Sequence, residues 1–327
     1  MGQKSKSLLL SFTLILLFTL FIRIITISLY PDLPKENEVI FYSNQTKNDL
    51  RILFLNAIDL SKKSIHLVMF GLSDPQILSK LSCKRNLVST KIFYDPKSSP
   101  NLDEIGGIPV REDHLMHQKI ICVDQRLVFL GSANMTSTLS MHDNLVLGLH
   151  SPEMAKFLEE NAPLHSGNMK MQIGDQKAEI WLLPDRNEGA LNAVKESIQK
   201  AKHEIHLAMY TLTHQDLIEE LLNAISRGVK VIVAADSHAA KGASAKALQK
   251  LKQGNAEVLL STGLQLFHHK FLCVDQHTLI LGSANWTKSA FTKNRDVFLI
   301  LNPLNKTQKK QMAKLWKEII RDCRPLG

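Results

Sequence analysis

Residues 117–134 read HQKIICVDQRLVFLGSAN, and residues 268–285 read HHKFLCVDQHTLILGSAN. Each is His-x-Lys, four residues, Asp, six residues, then Gly-Ser-Ala-Asn, so one pattern with identical internal spacing is written twice. A lone His-x-Lys carries no information; a second copy with the same spacing does. Side chains alternate faces along a strand, so His117 and Lys119 share a face, as do Ser132 and Asn134. The apolar runs Ile120–Val123 and Leu127–Leu130, separated by Asp124-Gln125-Arg126, predict a hairpin. That hairpin brings His, Lys, Ser and Asn toward one spot, and His268, Lys270, Ser283 and Asn285 repeat the arrangement. Asp124 and Asp275 have the opposite parity and read as turn carboxylates that accept local backbone hydrogen bonds.

The duplication extends outward from the motif. EVIFYSN at 38–44 and EIWLLPD at 179–185 are short strand candidates ending in turn residues. Each leads into a helical pattern, residues 48–64 and 189–204, in which Leu50, Leu53, Phe54, Ala57 and Ile58 mark the apolar stripe of the first. Strands follow at 65–74 and 205–214, then helices from Pro75 to about Leu81 and from Gln215 to Ser226, then strands at 91–95 and 230–236. Strands alternating with helices predict an α/β layered fold with a mainly parallel or mixed sheet in each repeat. Ile65 and Ile205 are 140 apart, whereas His117 and His268 are 151 apart, so the second repeat carries about eleven extra residues, read as a basic helix after Asp236. The residues 306–322 form an amphipathic C-terminal helix with Met312, Leu315, Trp316 and Ile319 on one face. The expected division is 1–37 as anchor and linker, 38–170 as a first lobe and 171–327 as a second lobe with the C-terminal helix.

The 327 residues suffice for two domains. A hydrophobic content of 44% excludes disorder as the default state. The net charge of +9 favours anionic partners: nucleic acid, anionic lipid or a phosphate ester. Cys122 and Cys273 sit at one place in the two repeats, inside apolar runs, and read as small core residues. No C-x-x-C pair is present, which argues against a zinc site. Residues 8–30 are apolar apart from Ser11, Thr13, Thr19, Arg23 and a few further hydroxyls. This stretch is long enough to span a bilayer core and is expected to be an N-terminal transmembrane helix. A cleaved signal peptide is the alternative, although no small-x-small site follows. Lys4 and Lys6 precede the run, so the chain beyond it is expected outside the cytoplasm. Position 6 is Lys, so the Met1-Gly2 start does not indicate myristoylation.

Histidine carries protons near neutral pH and can act as base, acid or nucleophile. Lysine holds a phosphoryl oxygen by charge, and Asn and Ser add directed donors as charge develops. Two such halves facing each other suit a phosphodiester. No His/Asp/Glu cluster with metal spacing accompanies the motif, so a site without metal or other cofactor is expected. His117, Lys119, Asn134, His268, Lys270 and Asn285 are the candidate catalytic residues, and Ser132 and Ser283 the candidate substrate contacts. His66 and His206, which match between repeats, read as structural; His114 is a candidate for the mouth of the site; Met135 and Trp286 read as packing.

The two motifs resemble the HxKxxxxD/GSxN signature of the phospholipase D superfamily, over about residues 38–303. The resemblance implies two tandem α/β lobes with pseudo-twofold symmetry, the site between them, and a two-step reaction through a phosphohistidine. By resemblance His117 is the nucleophile and His268 the general acid. Members often carry an acidic residue after GSxN that orients the histidine; Asp143 and Asp296 are the candidates, at unequal offsets from Asn134 and Asn285. One chain supplies both motifs, so a monomer is expected to suffice. The implied activity is phospholipase D-type hydrolysis of phospholipids at a membrane, with a membrane-tethered nuclease or a phosphatidyltransferase of cardiolipin synthase type as alternatives.

Overall fold

Two mixed β-sheets carry the duplication. The computed structural model describes residues 11–21, 30–46 and 48–327. The first repeat runs β1 (Val39–Tyr42), α1 (Leu50–Asp59), β2 (Ser64–Met69), α2 (Pro75–Lys84), β3 (Ser89–Tyr94), β4 (Gly107–Pro109), β5 (Lys119–Val123), β6 (Leu127–Gly131), β7 (Val146–His150) and α3 (Pro152–Asn161). The second runs β8 (Gly167–Ile173), β9 (Gln176–Leu182), α4 (Gly189–Gln199), β10 (Glu204–Met209), α5 (Gln215–Ser226), β11 (Lys230–Ala235), α6 (Ser237–Lys241), α7 (Ala245–Gln253), β12 (Glu257–Ser261), β13 (Lys270–Val274), β14 (Thr278–Gly282), α8 (Lys288–Thr292), β15 (Val297–Asn302), α9 (Lys306–Arg321) and β16 (Cys323–Pro325). The first sheet has the order β1-β7-β6-β5-β2-β3-β4. The second repeats it as β9-β15-β14-β13-β10-β11-β12 and adds β8 and β16 at its two edges. In both, the βαβ units make the parallel pairs, while the motif hairpin and the strands on either side of it pair antiparallel.

Local chemistry explains the elements. Asp49 caps α1 and Asp74 caps α2, each accepting two backbone N–H groups of the first turn, and Pro75 opens α2 where no donor is needed. Helix α1 buries Leu50, Leu53, Phe54, Ala57 and Ile58, the stripe read from the sequence. These pack on one face of the first sheet, against Leu67, Ile121 and Phe129. Helices α4 and α5 cover the corresponding face of the second with Val194, Ile198, Leu217 and Leu221. The opposite faces share a single core, where Ile120, Cys122, Val128 and Leu130 meet Phe271, Cys273, Leu279 and Leu281. The layering is therefore helix, sheet, sheet, helix, and both faces of each sheet are dry. After Lys119 and Lys270, apolar residues run unbroken to the ends of β5 and β13 for that reason. Met154 and Leu158 of α3 and Met312, Leu315, Trp316 and Ile319 of α9 join the shared core.

Several boundaries differ from expectation. Strand β8 starts at Gly167 and already belongs to the second sheet, so the crossing between lobes falls before 167 and not at 170. The extra segment of the second repeat is two short helices, α6 and α7, and the second buries Ala247, Leu248 and Leu251. Residues 11–21 are helical with exposed apolar side chains. At 1.5 Å per residue they span about 16 Å, half of a ~30 Å hydrocarbon core. Among the described residues no helix is long and apolar enough to cross a membrane. Most of the remainder of the expected 8–30 span, with Arg23 and the preceding lysines, lies outside the described residues.

Candidate active site

The motif hairpins turn at Asp124-Gln125 and Asp275-Gln276, all four residues left-handed with φ between 49° and 56°. Two consecutive positive φ values give the turn whose twist matches the flanking strands, at a conformational cost for non-glycine residues. The aspartates offset it. Asp124 accepts the backbone N–H groups of Lys62, Lys63 and Ser64 at 2.9, 2.7 and 3.1 Å. Asp275 accepts those of Lys202, His203 and Glu204 at 2.8, 2.9 and 2.8 Å. Each carboxylate thus locks its hairpin to the segment that opens β2 or β10, whereas local bonds within the turn were expected. The resulting register sets Lys119 opposite Met69 and Lys270 opposite Met209.

At the other end of each hairpin, Gly131 and Gly282 let neighbouring strands touch. A Cβ on Gly131 would lie 2.2 Å from the Leu145 carbonyl oxygen, and one on Gly282 2.1 Å from that of Val297. The close approach lets Ser132 Oγ accept from the Leu145 N–H at 3.1 Å and Ser283 Oγ from the Val297 N–H at 3.0 Å. Ser132 Oγ donates to Asn144 Oδ1 at 2.9 Å, and Ser283 Oγ to Asp296 Oδ1 at 2.6 Å. Both serines are fully buried and committed to these bonds. They were expected to touch substrate; they instead position the residues that hold the histidines.

Those residues cross between the lobes. His117 Nδ1 meets Asp296 Oδ1 at 2.8 Å, and His268 Nδ1 meets Asn144 Oδ1 at 3.1 Å. The expected pairing of Asp143 with Asp296 is therefore corrected. Gly131 pairs with Val146 and Gly282 with Phe298; Asn144 lies two residues before the first and Asp296 two before the second. Register makes Asn144 the counterpart of Asp296, and Asp143 the counterpart of Arg295. The backbones of that second pair do matching work: Arg295 C=O accepts the His117 N–H at 2.8 Å, and Asp143 C=O accepts the His268 N–H at 2.9 Å. The Asp143 side chain is half-buried, and burial together with Asp322 pushes its carboxyl up to about 7. Asn144 escaped the sequence reading because only carboxylates were sought. The signal that finds it is an acceptor side chain 12–13 residues beyond the motif serine.

Lys119 Nζ donates to the His117 carbonyl at 2.7 Å and lies 4.8 Å from the centre of the Phe70 ring. Lys270 Nζ donates to the His268 carbonyl at 3.1 Å and lies 5.1 Å from the Tyr210 ring. Phe70 also meets the His117 ring edge-on at 4.9 Å, and Tyr210 tilts against His268 at 5.2 Å. This aromatic pair, at equivalent positions after β2 and β10, was not singled out in the sequence. Asn134 Oδ1 accepts the Gly71 N–H at 3.3 Å, whereas Asn285 Oδ1 is buried with no hydrogen-bond partner among the described residues.

Burial, then the neighbouring cations, set the ionisation. His117 is pushed down to about 4 by burial and Lys119, against the pull of Asp296. His268 is driven well below its ordinary value by burial, Lys270 and Lys119, with His117 adding to the effect. Lys119 is lowered by burial to about 7, with Asp296 and Asp95 opposing. Lys270 is lowered by burial and by Lys119. Burial opposes the charge on Asp296, yet His117, Ser283 and Lys119 together hold its carboxyl below the usual range. The two lysines, the two histidines and Asp296 therefore form one electrostatic unit. A phosphodiester monoanion would supply the negative charge that two ammonium groups and one carboxylate lack.

The other candidates fall outside it. His114 is exposed. His66 bonds the Ala162 carbonyl at 3.2 Å and His206 stacks on Trp316 at 4.4 Å, both structural as expected. Met135 and Trp286 bridge to Leu72 and Leu212 and pack. Cys122 and Cys273 are free, buried thiols.

The sequence profile described as "Cardiolipin synthase, PLD-like domain" matches residues 54–162 and 194–321, one segment in each lobe. A mitochondrial cardiolipin hydrolase of Chlamydomonas reinhardtii is 26% identical over 129 residues, 39% of this chain and 57% of that protein. A phospholipase D of Rickettsia prowazekii is 29% identical over 113 residues, 35% of this chain and 55% of that protein. The chain thus spans little more than half the length of these relatives. The crystal structure of a phosphatidylserine synthase of Haemophilus influenzae superposes with a TM-score of 0.71 at 12% identity, over 91% of this chain and 89% of the other. That last likeness concerns the fold. With the family profile matched across both lobes, and with both copies of its motif meeting in one buried site, the chain belongs to the phospholipase D-like family of the cardiolipin synthase type.

Proposed function

We propose that this protein hydrolyses phospholipid phosphodiester bonds by double displacement through a phosphohistidine. The observation that carries the reading is the pair of imidazoles, one from each lobe, each with Nδ1 occupied and each beside a buried lysine. Nε2 is then the nitrogen left for chemistry on both rings. One Nε2 attacks phosphorus; the other protonates the leaving oxygen and afterwards takes a proton from water. Lys119, Lys270 and the amides of Asn134 and Asn285 hold the non-bridging oxygens and compensate their growing charge. By resemblance His117 is the attacking residue.

Lipid is favoured as substrate because the relatives are named as cardiolipin hydrolases and phospholipases D. The apolar stretch at 8–30 would hold the site at a bilayer. The net charge of +9 favours a second reading, a membrane-tethered nuclease. The family description favours a third, phosphatidyl transfer, in which an acceptor alcohol replaces water. The deciding experiment assays the purified full-length chain on phosphatidylcholine, cardiolipin and single-stranded DNA, with and without glycerol. Release of phosphatidic acid supports lipid hydrolysis. Cleavage of DNA alone overturns it in favour of the nuclease, and a glycerol-dependent phosphatidyl product in favour of transfer.

A further inference from the structure

The two halves of the site carry His, Lys, Ser and Asn at matching positions, but the side chains that hold the histidines differ: one lobe supplies Asp296 and the other Asn144. On the phosphohistidine reading given above, we propose that this inequality assigns the roles: Asp296 makes His117 the nucleophile, Asn144 leaves His268 as the acid–base, and exchanging the partners exchanges the histidines.

The argument follows the charge. In the first step the His117 Nε2 lone pair forms the P–N bond while the P–O bond to the leaving group breaks. Its electron pair goes to the leaving oxygen, which takes the Nε2 proton of His268, an imidazolium once the bound phosphodiester's negative charge offsets the two lysines. His117, keeping its Nδ1 proton, gains positive charge; His268 loses it. A carboxylate on the first ring is therefore worth more in the transition state than in the ground state. A carboxylate on the second would hold the proton that must leave, whereas an amide oxygen orients the ring without charge. In the second step water attacks phosphorus and gives its proton to His268, and the P–N pair returns to His117. No electrons are gained or lost overall.

The surroundings agree. His117 faces Asp296, Lys119 and Lys270; His268 faces Lys270, Lys119, His117 and His142, and no carboxylate bonds it. The nearby carboxylates are bonded to backbone N–H groups, Asp95 to that of Lys97 and Asp236 to those of His238, Ala239 and Phe267. Asn144 Nδ2 donates to the His142 carbonyl at 3.2 Å, which fixes Oδ1 toward His268. Asp296 Oδ2 is buried with no hydrogen-bond partner among the described residues, so donors other than His117 and Ser283 do not spread its charge.

The test compares the full-length wild type, D296N, N144D and D296N/N144D. Each is assayed on phosphatidylcholine vesicles and on a p-nitrophenyl phosphodiester, whose leaving group needs no protonation, with peptide mapping of acid-quenched enzyme. D296N is expected to lose about 10²-fold or more on both substrates and to show no His117 adduct. N144D is expected to lose about tenfold on the lipid and clearly less on the activated ester. The double exchange is expected to place the adduct on His268. An adduct still on His117 in the double exchange overturns the proposal, as does an equal loss by N144D on both substrates, the pattern of a merely structural role. Should the double exchange not fold, His117→Ala in the N144D background replaces it. That variant should form a His268 adduct with the activated ester where His117→Ala alone forms none, and its failure to do so overturns the proposal. Absence of any adduct in turning-over wild type defeats the phosphohistidine reading itself, a result distinct from an adduct on an unmoved residue.

Discussion

At the scale of single residues, the site joins groups that water would keep apart. Two lysines and two histidines are buried together; burial drives all four toward neutrality, and the lysines push both histidines further the same way. On the proposed mechanism both ammonium groups hold phosphoryl oxygens, and burial lowers Lys119 to about 7 in the free enzyme. The basic limb of kcat/KM is therefore expected close to neutrality; a pH profile with that limb near 10 would contradict the burial argument. His117→Ala should lower kcat by about 10³-fold or more and abolish the adduct, whereas His268→Ala should keep an adduct with the activated ester; mass spectrometry of quenched enzyme decides both. The candidate histidines, lysines, asparagines and turn aspartates were legible because the motif repeats. The serines and Asn144 were misread or missed because a hydroxyl's or amide's partner depends on which strand lies alongside, and no local pattern states that.

At the scale of elements, the hairpin is the unit that aims the chemistry. Its left-handed Asp-Gln turn holds only while the carboxylate collects three backbone N–H groups. Asp124→Ala is expected to cost about 2–3 kcal/mol, since those donors lose their partner, and chemical denaturation measures it. Gly131→Ala would force β6 from β7, costing about 3 kcal/mol and dislodging Asn144 from Ser132. The expected signature is lost stability together with lost activity; an unchanged unfolding midpoint would show that the strands can yield. The sequence reading found the helices and central strands from their periodicity. It placed the lobe boundary late because β8 carries few of the features of a buried strand: its residues alternate half-buried and exposed up to Ile173.

At the scale of the whole molecule, one chain brings both motifs to one spot across a shared core. Turnover per chain is therefore expected to stay constant on dilution, and a steep fall below a dissociation constant would show that two chains are needed. The cations at the site are lysines, so turnover in excess EDTA should equal turnover without it; loss restored by zinc or magnesium would refute this. The fold also buries neutral histidines. Burial holds His66 and His117 at about 4 and His269 at about 3, against about 6.5 in an unfolded chain. The unfolded state then binds more protons in this window, so stability is intact above pH 6.5 and falls as pH drops toward 4. The slope is up to about 1.4 kcal/mol per pH unit for each histidine. Urea unfolding midpoints at pH 7, 5.5 and 4.5 give the check, and a flat series would mean these rings are solvated.

The duplicated motif, the α/β alternation and the candidate site residues within the motif are properties of the sequence alone, because periodicity and spacing are local and a repeated spacing is self-validating. Which residue of one lobe holds the histidine of the other was decided only by tertiary structure. His117 and Asp296 are 179 residues apart, His268 and Asn144 are 124 apart, and only the packing of two sheets face to face brings each pair within hydrogen-bond distance.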